Sequence, residues 1–345
     1  MSSVAETPTV VDGLMADDLR RLYRTMTLGR LLAERFWILS RQGKTHFVIT
    51  SQGHEAAQVG SASALVRGTD YVYTYYRSMS VALTLGFTPY ELFLSVLAKR
   101  DDPYSGGRQL PNHPSRLAWR VPTHSSSIAT QIPHAVGSAY AARVLGQECV
   151  SIAYFGEGAT SKGDFHEAAS IASIHKLPVI FFCENNHYSI SVPEQYEIPP
   201  GGVVARAAGY AMRGVQVDGL DPVAVYHTTR EAREIALAGG GPTLIEALCV
   251  RLGAHSSDDN DRYRTDAMRN AAQAADPLPR FHDRLITMGL WSEEEDTTMR
   301  EEITAELRES MIRAEAAPAA DPADARRHLF AEPATSTSSA EGATR

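Results

Sequence analysis

The first feature of the sequence that could bind a ligand or take part in a reaction is a glycine turn that carries one acidic residue. Gly156, Glu157 and Gly158 follow a run of β-branched and aromatic residues and precede a helical pattern. Such a passage suits a phosphate, because glycines let the backbone approach closely and a helix start offers free N–H groups. A dinucleotide fingerprint would need glycine at Ser161, and a Walker A loop would need lysine at Asp164. Both nucleotide motifs are therefore excluded.

A second polar signal follows the next predicted strand, where Asn185 and Asn186 stand after residues 178–183. The 26 residues 159–184 separate it from the glycine turn, which suits one helix and the return strand of a βαβ unit. The two strand ends are then neighbours. Glu157, the Asn186 side-chain oxygen and a backbone carbonyl near Tyr188 would supply three hard oxygen ligands. Such an incomplete shell predicts Mg²⁺, which completes its octahedron with phosphate oxygens and water.

Metal sites built from histidine and cysteine are not indicated. The pairs His54-Glu55 and His166-Glu167 resemble the start of a zinc-protease motif, but Gln58 and Ser170 stand where the second histidine is needed. The three cysteines, at positions 149, 183 and 249, lie far apart. This spacing argues against a zinc site or a disulfide framework and favours a reducing compartment.

The elements that must position these residues alternate along the chain. Short β-branched and aromatic runs between helical patterns are typical of an α/β fold with a mostly parallel sheet and helices on both faces. The predicted strands are residues 72–76, 150–155, 178–183, 215–217 and 243–252. The predicted helices include one that begins near Asp17, residues 129–145 and 164–176, and a helix capped by Ser292 that runs to about Glu315.

These elements predict one large domain whose two ends differ in character. Residues 1–15 are small and polar and predict a flexible arm. Residues 16–275 form the predicted α/β domain, and residues 276–315 form a helical trailer of the same domain. Residues 316–345 are rich in Ala, Pro, Ser and Thr, which predicts a tail that is flexible or docked on a partner through Leu329 and Phe330.

Charge and hydropathy exclude several classes of partner. The chain has 33 Lys+Arg against 41 Asp+Glu, a net charge of −8, and no basic run longer than a pair. This balance argues against a nucleic-acid or anionic-membrane surface. No apolar run of about 18 residues and no signal-peptide pattern occurs. We therefore expect no membrane span and a cytoplasmic protein.

The glycine–acid–glycine turn, followed at this interval by two asparagines, resembles the thiamine-diphosphate motif of the transketolase-like enzymes. Over about residues 15–315 the chain is similar to the alpha subunit of the decarboxylating component of 2-oxo acid dehydrogenase complexes, most of all the branched-chain type. Further segments that carry this resemblance are residues 76–77, 107–111, 129–133, 255–259, 263–264, 276–281 and 289–291. Two features depart from it: Glu157 replaces the Asp that is commoner in the wider superfamily, and the loop after His255 is one residue shorter than in some branched-chain relatives.

The resemblance implies a thiamine-diphosphate-binding fold, with thiamine diphosphate and Mg²⁺ as cofactors. Glu157, Asn186 and the Tyr188 carbonyl would hold Mg²⁺. The residues implied to contact the organic cofactor are Tyr76, Arg77, Ser126, Ile128, Gly158, Ala159, Asn186, Ile190 and His255. Arg77 would pair with a phosphate through its guanidinium fork, whereas Ser126 also fits an N-terminal helix cap.

Histidines are the candidates for proton transfer. His255 opens a polar loop after the last predicted strand, where α/β folds place reacting groups. The resemblance implies that His255 is catalytic and transfers or stabilises a proton. The alternative is a loop histidine bonded to Asp258 or Asp259. His124 is interpreted as structural, and the role of His113 stays open.

The resemblance further implies oxidative decarboxylation of small branched-chain 2-oxo acids, with the acyl group passed to the lipoyl group of a transacylase core. The chain is long enough for the diphosphate-binding domain only, so a beta subunit would complete the site, in an assembly of two alpha and two beta subunits. Phe47, Val48 and Ile49 could line an apolar pocket for the branched side chain. The alternatives are a pyruvate or acetoin dehydrogenase alpha subunit, a non-catalytic diphosphate-binding scaffold and, weakened by Ser161, an NAD-binding enzyme.

Overall fold

The chain forms a parallel sheet enclosed by helices. The computed structural model describes residues 10, 11 and 13–330. The strands are β1 (Val10–Val11), β2 (Leu14–Met15), β3 (Tyr71–Tyr73), β4 (Ser151–Gly156), β5 (Val179–Asn185), β6 (Tyr188–Ser189), β7 (Val192–Pro193), β8 (Arg213–Asp218) and β9 (Thr243–Leu248). The α-helices are α1 (Ala16–Arg41), α2 (Glu55–Ser63), α3 (Met79–Leu85), α4 (Pro89–Val96), α5 (Gln131–Val144), α6 (Gly163–Ile174), α7 (Arg206–Gly209), α8 (Pro222–Leu237), α9 (Asp266–Ala274), α10 (Pro277–Thr287) and α11 (Glu293–Ala316).

The central sheet has the order β3-β4-β5-β9-β8, and every neighbouring pair is parallel. The predicted α/β class and the parallel sheet are thus confirmed. In the central pair, Gly156 at the end of β4 lies opposite Glu184 near the end of β5. All five strands therefore direct their carboxyl ends to one edge, where open α/β sheets bind ligands.

The predicted strands are all present, but two are shorter than the sequence pattern indicates. The strand predicted at 243–252 ends at Leu248, because its neighbour β5 ends at Asn185, whose carbonyl accepts a last bond from the Cys249 N–H. The strand predicted at 72–76 ends at Tyr73. There the chain enters a turn in which the Tyr75 N–H donates to the Ser78 hydroxyl at 3.1 Å.

Two apolar cores hold the helices on the faces of the sheet. Successive residues of β4 alternate between them: Ala153 and Phe155 pack with α5 and α6, whereas Ile152 and Tyr154 pack with α2, α3 and α8. Burial on both faces explains why β4 and β5 are nearly continuous apolar runs rather than alternating ones. The edge strand β8 instead alternates in exposure.

A third core lies outside α2 and α3, where α1, α4, α10 and α11 pack together. Apolar side chains of α1 spaced at helical intervals, including Leu19, Leu22 and Met26, are buried there. Ser292 caps α11 by accepting a hydrogen bond from the Glu295 N–H at 3.2 Å. Residues 276–315, predicted as a helical trailer, thus cover the outer face of α1.

The two ends of the described chain are partly ordered. Of the predicted flexible arm, β1 pairs antiparallel with β2, and Leu14 is buried in the third core, while residues 1–9 and 12 lie outside the described residues. In the predicted tail, Ala319 bridges to Lys99, whereas Leu329 and Phe330 are exposed. Residues 331–345 lie outside the described residues. Within the part of the chain that the structure describes, no helix is long and apolar enough to cross a membrane.

A buried ion cluster joins three of these helices. Arg30 of α1 donates to both carboxylate oxygens of Glu55 in α2, at 2.7 and 3.1 Å. It also donates to both oxygens of Asp276, the cap of α10, at 2.7 and 2.9 Å. Glu55 in turn accepts the Gly53 N–H at 2.8 Å, which sets the start of α2. One guanidinium therefore fixes the segment that delivers His54 to the interior.

Replacing Arg30 by alanine should lower the free energy of unfolding by about 3–5 kcal/mol, because Glu55 would stay buried without its partner. Urea unfolding of the purified protein measures this loss. Arg24→Ala is the matched control, since it removes an exposed pair with Glu302, and it should cost no more than about 1 kcal/mol. Equal losses in the two variants would contradict a special role for the buried cluster.

Candidate functional site

A cavity of about 360 Å³ opens at the carboxyl edge of the sheet. Its walls come from the segments that follow β3, β4 and β5 and from the loop after β9. The structure brings together in its lining every residue that the sequence predicted to hold the cofactor or the cation: Tyr76, Arg77, Ser126, Ile128, Glu157, Gly158, Ala159, Asn186, Tyr188, Ile190 and His255. These residues span 180 positions, from 76 to 255, so only the sheet topology makes them neighbours.

The glycine turn places a carboxylate at the bottom of this cavity. Glu157 begins a 3-10 turn directly after β4 and is only 1% exposed. The backbone is packed closely here, because a Cβ atom on Gly158 would collide with Ser189. Glycine at 158 thus lets the turn pass beneath the loop after β5.

Glu157 is short of partners. Its Oε2 accepts the Asn186 N–H at 3.2 Å, whereas its Oε1 is buried without a hydrogen-bond partner. Burial above all, with the carboxylates of Glu194 and Glu197 nearby, raises the pKa of Glu157 to about 7. A buried carboxylate in this state gains strongly from a cation or a proton.

The loop after β5 supplies the second part of the predicted cation site. Asn186 lies directly beside Glu157, and its Oδ1 accepts the Tyr188 N–H at 3.2 Å. Ile190 has φ of +57°, which is strained for a β-branched residue. The Arg251 guanidinium donates to the Ile190 carbonyl at 2.9 Å and supports this conformation. Strain of this kind persists where surrounding contacts impose it, often at functional sites.

Arg77 and His255 face one another on the opposite wall. The Arg77 Nη2 lies 3.3 Å from the His255 Nδ1, and since arginine only donates, Nδ1 accepts and the ring proton sits on Nε2. Burial and the positive charges of Arg77 and Arg251 lower the pKa of His255 to about 3. The His255 ring does not bond to Asp258 or Asp259; the contact with Asp259 is made by the His255 backbone N–H, which donates to it at 2.8 Å.

Two buried arginines near the cavity lack a carboxylate partner. Neither Arg77 nor Arg251 forms an ion pair with any described residue, although both are at most 3% exposed. Arg77 donates instead to the Thr50 carbonyl, and Arg251 to the Ile190 carbonyl and the Tyr263 hydroxyl. Sequence reasoning missed Arg251, whose position just after a central strand was the available signal. Such unpaired cations favour an anion in the cavity.

The histidine pair at the cavity rim has well-defined partners. The Ser126 hydroxyl lies 2.9 Å from the His113 Nε2, so Ser126 does not cap the following helix, whose cap position is Thr130. His113 Nδ1 points to the Leu110 and Pro111 carbonyls. His124 stacks on His113 with ring centroids 4.4 Å apart. His113 therefore lines the cavity and orients Ser126, while His124 supports it from behind.

One wall of the cavity is apolar. Phe47, Ile49 and Leu110 line it, whereas Val48 points away and is buried in the third core. The three-residue segment predicted to form an apolar pocket thus contributes its first and third side chains.

Sequence reasoning missed a polar network directly behind the cavity. Glu184, fully buried in β5, accepts hydrogen bonds from His54, Gln58 and Tyr75. Burial lowers the pKa of His54, although the hydrogen bond and charge of Glu184 act in the opposite direction. In the sequence His54 stands in an incomplete zinc-protease motif. It is separated from Glu184 by 130 positions, so no local pattern links the two residues.

The donor set does not form a metal cluster of acidic residues and histidines. Among the described residues, no group of three or more His, Cys, Asp or Glu side chains is placed to hold a metal ion. The predicted set instead combines one carboxylate, one amide and one backbone carbonyl. These are the hard oxygen ligands that suit Mg²⁺ alongside phosphate.

Comparison with known proteins adds a family to this geometry. The sequence matches the family described as "Dehydrogenase E1 component" over residues 23–323. The 2-oxoisovalerate dehydrogenase subunit alpha of Bacillus subtilis (strain 168) is 48% identical over 321 residues, which cover 93% of this chain and 97% of that protein. The mitochondrial 2-oxoisovalerate dehydrogenase alpha subunits of Homo sapiens and Mus musculus are each 38% identical, over 90% and 88% of this chain and 69% and 68% of their own lengths.

The raised pKa of Glu157 predicts that the ligand-free protein loses free energy of unfolding as the pH rises. The folded carboxyl titrates near 7 and the unfolded one near 4.5, so its favourable contribution is present below 4.5 and lost as pH rises through 7. Glu157→Gln should therefore be more stable than wild type by about 3 kcal/mol at pH 8. The difference in free energy of unfolding between Glu157→Gln and wild type should fall to less than about 1 kcal/mol near pH 5.

Urea unfolding in a chelating buffer from pH 5 to 8 measures this difference. Glu167→Gln, at an exposed position of α6, is the control for loss of a surface charge. A stability difference between Glu157→Gln and wild type that stays constant over this pH range would contradict the raised pKa.

Proposed function

Because this chain belongs to the dehydrogenase E1 component family, we propose that it is the alpha subunit of a branched-chain 2-oxo acid dehydrogenase. The enzyme oxidatively decarboxylates these acids and transfers the acyl group to the lipoyl group of a transacylase core. Membership of the family implies thiamine diphosphate as the cofactor. One observation carries the proposal: a single cavity combines an unsatisfied carboxylate, two unpaired arginines nearby and an apolar wall.

The residues present fit the cofactor and, in our proposal, Mg²⁺. The orphaned Glu157 Oε1, the Asn186 amide oxygen and the Tyr188 carbonyl would hold the cation. The Gly158 and Ala159 N–H groups and the Arg77 guanidinium would bind the diphosphate. Tyr76, Ser126, the Ile128 carbonyl and Ile190 would contact the remainder of the cofactor.

Held by these residues, thiamine diphosphate would supply a nucleophilic thiazolium carbon and an electron sink for decarboxylation. The chain orients that cofactor and manages protons around it. His255 is neutral with its proton on Nε2, because Arg77 occupies Nδ1. In our proposal His255 therefore donates a hydrogen bond from Nε2 to the negative charge that develops in the transition state.

The apolar wall suggests how a branched side chain is selected. Phe47, Ile49 and Leu110 line the cavity and present only hydrocarbon. Each well-placed methylene in such a pocket contributes about 1–3 kcal/mol of discrimination. The preference over pyruvate is therefore expected to be large but not absolute.

The chain supplies one part of a larger enzyme. As an alpha subunit of this family it works with a beta subunit and a transacylase, and we propose two alpha and two beta subunits, since closed symmetric assemblies are the rule. Its three cysteines are buried free thiols, which supports our assignment to the reducing cytoplasm.

His255→Ala should reduce turnover by about 10²-fold or more, the usual size of a proton-transfer contribution. Melting temperature and assembly with the beta subunit should change little, because the ring makes no described side-chain bond except the one to Arg77. Steady-state kinetics and melting of the assembled enzyme measure both quantities. Full activity in His255→Ala would return this residue to a structural role.

The substrate proposal is tested by kinetics on a panel of 2-oxo acids. In the enzyme assembled with its beta subunit, 3-methyl-2-oxobutanoate and 4-methyl-2-oxopentanoate should give a higher kcat/KM than pyruvate, by about 10- to 200-fold. A pyruvate optimum would favour the pyruvate dehydrogenase alternative. Ile49→Ala is expected to lower the ratio of kcat/KM for the branched-chain acids to kcat/KM for pyruvate. Val48→Ala, which alters the core behind the wall, is the control and should leave this ratio unchanged.

The purified chain alone should not turn over any of these acids when given thiamine diphosphate and Mg²⁺. Turnover at the rate of the assembled enzyme would remove the need for a beta subunit.

A further inference from the structure

Glu184 lies at the centre of a buried polar network that borders the site. Its Oε2 accepts hydrogen bonds from the His54 Nδ1 at 2.6 Å, the Gln58 Nε2 at 2.8 Å and the Tyr75 hydroxyl at 3.0 Å. The four side chains are between 0% and 5% exposed. Apolar residues would fill the same space at lower cost, because a buried carboxylate pays a desolvation penalty. A role beyond packing would explain why polar groups stand here.

One arm of the network reaches the proposed cation ligand. The His54 Nε2 lies 3.3 Å from the Asn186 Nδ2. The Glu184 carboxylate only accepts, so the His54 Nδ1 carries a proton; the Asn186 Nδ2 only donates, so the His54 Nε2 accepts. Asn186 is therefore held with its amide nitrogen toward His54, which leaves Oδ1 as the atom available to a cation.

The other arm reaches the proposed diphosphate ligand. The Gln58 Nε2 also donates to the Arg77 carbonyl at 3.0 Å, and the Gln58 Oε1 accepts the Ser80 N–H at 3.0 Å. Both amide hydrogens of Gln58 are thus used, one on Glu184 and one on the Arg77 backbone. A single carboxylate thereby connects the two walls of the cavity.

The entry of His54 into this network depends on the backbone before it. Gly53 has φ of +94°, and a Cβ atom there would collide with the Val250 carbonyl. The adjacent Glu55 is clamped by Arg30. Rigid neighbours therefore hold His54 against Glu184 of β5, and such support is what orientation of another side chain requires.

We propose that His54 is a positioning residue whose Nε2 orients the Asn186 amide oxygen for a divalent cation, and that Gln58, bonded to Glu184, fixes the backbone of Arg77. The inference rests on the proposed magnesium site. Removal of such outer partners of metal ligands typically weakens metal binding by about 10–100-fold.

Two substitutions at position 54 separate orientation from packing. His54→Asn places an amide near the former Nδ1, so it keeps a donor for Glu184 and loses the acceptor for Asn186. His54→Gln places an amide near the former Nε2, so it keeps the acceptor and loses the donor. Both remove ring volume from the same site, and His175→Gln, at an exposed position, is the surface control.

The measurement is the melting temperature of the assembled enzyme, without substrate, as Mg²⁺ is added at saturating thiamine diphosphate. His54→Asn should need about 10–100-fold more Mg²⁺ for half-maximal protection, whereas His54→Gln and His175→Gln should stay close to wild type. In kinetics, His54→Asn should raise the KM for Mg²⁺ while kcat at saturating Mg²⁺ largely recovers. Equal Mg²⁺ requirements in the two His54 variants would overturn the inference.

Further measurements distinguish failure of the positioning role from failure of the magnesium site. If Mg²⁺ does not protect wild type, or Asn186→Ala responds like wild type, the magnesium site itself fails. If wild type and Asn186→Ala differ but His54→Asn matches wild type, only the positioning role fails. Should both His54 variants fail to assemble, Gln58→Met tests the second arm: it should weaken thiamine diphosphate binding at saturating Mg²⁺, and unchanged binding would overturn the role of the network.

Discussion

The parallel register between β4 and β5, which sets Gly156 opposite Glu184, is the constraint on which the rest of the site depends. It places the first residue after β4, Glu157, beside Asn186 just past the end of β5. It also turns Glu184 inward, where three donors converge on one carboxylate oxygen. A slip of one residue would send each of these side chains to the opposite face of the sheet. The strands are buried on both faces, so their apolar packing holds this register.

The site carries several unfavourable features that the surrounding structure must offset. Glu157 is buried with an unpartnered oxygen, Arg77 and Arg251 are buried without carboxylates, and Ile190 has a left-handed backbone conformation. Each costs stability in the absence of a ligand. The three apolar cores and the Arg30 cluster lie outside the cavity and can hold it in shape. A ligand that combines a divalent cation with a diphosphate would compensate both signs of charge at once.

The two sides of the cavity divide the work of recognition. The polar side, built from the turn after β4 and the loop after β5, suits a charged cofactor group. The apolar side, built from Phe47, Ile49 and Leu110, suits hydrocarbon. Arg77 and His255 line the same cavity, and the Arg77 Nη2 lies 3.3 Å from the His255 Nδ1. This arrangement fits an enzyme that anchors one molecule by charge and selects another by shape.

The sequence by itself determined the α/β class, the positions of the strands and the glycine turn with its paired asparagines, because these depend on local periodicity and on spacing within one βαβ unit. It also marked Arg77 and His255, which directly follow predicted strands. Tertiary structure alone decided which groups meet across long separations: His54 with Glu184, Arg77 with His255, and Arg251 with Ile190. It likewise decided the state of the groups, since the raised pKa of Glu157 and the tautomer of His255 follow from burial and neighbouring charge, which no local pattern encodes.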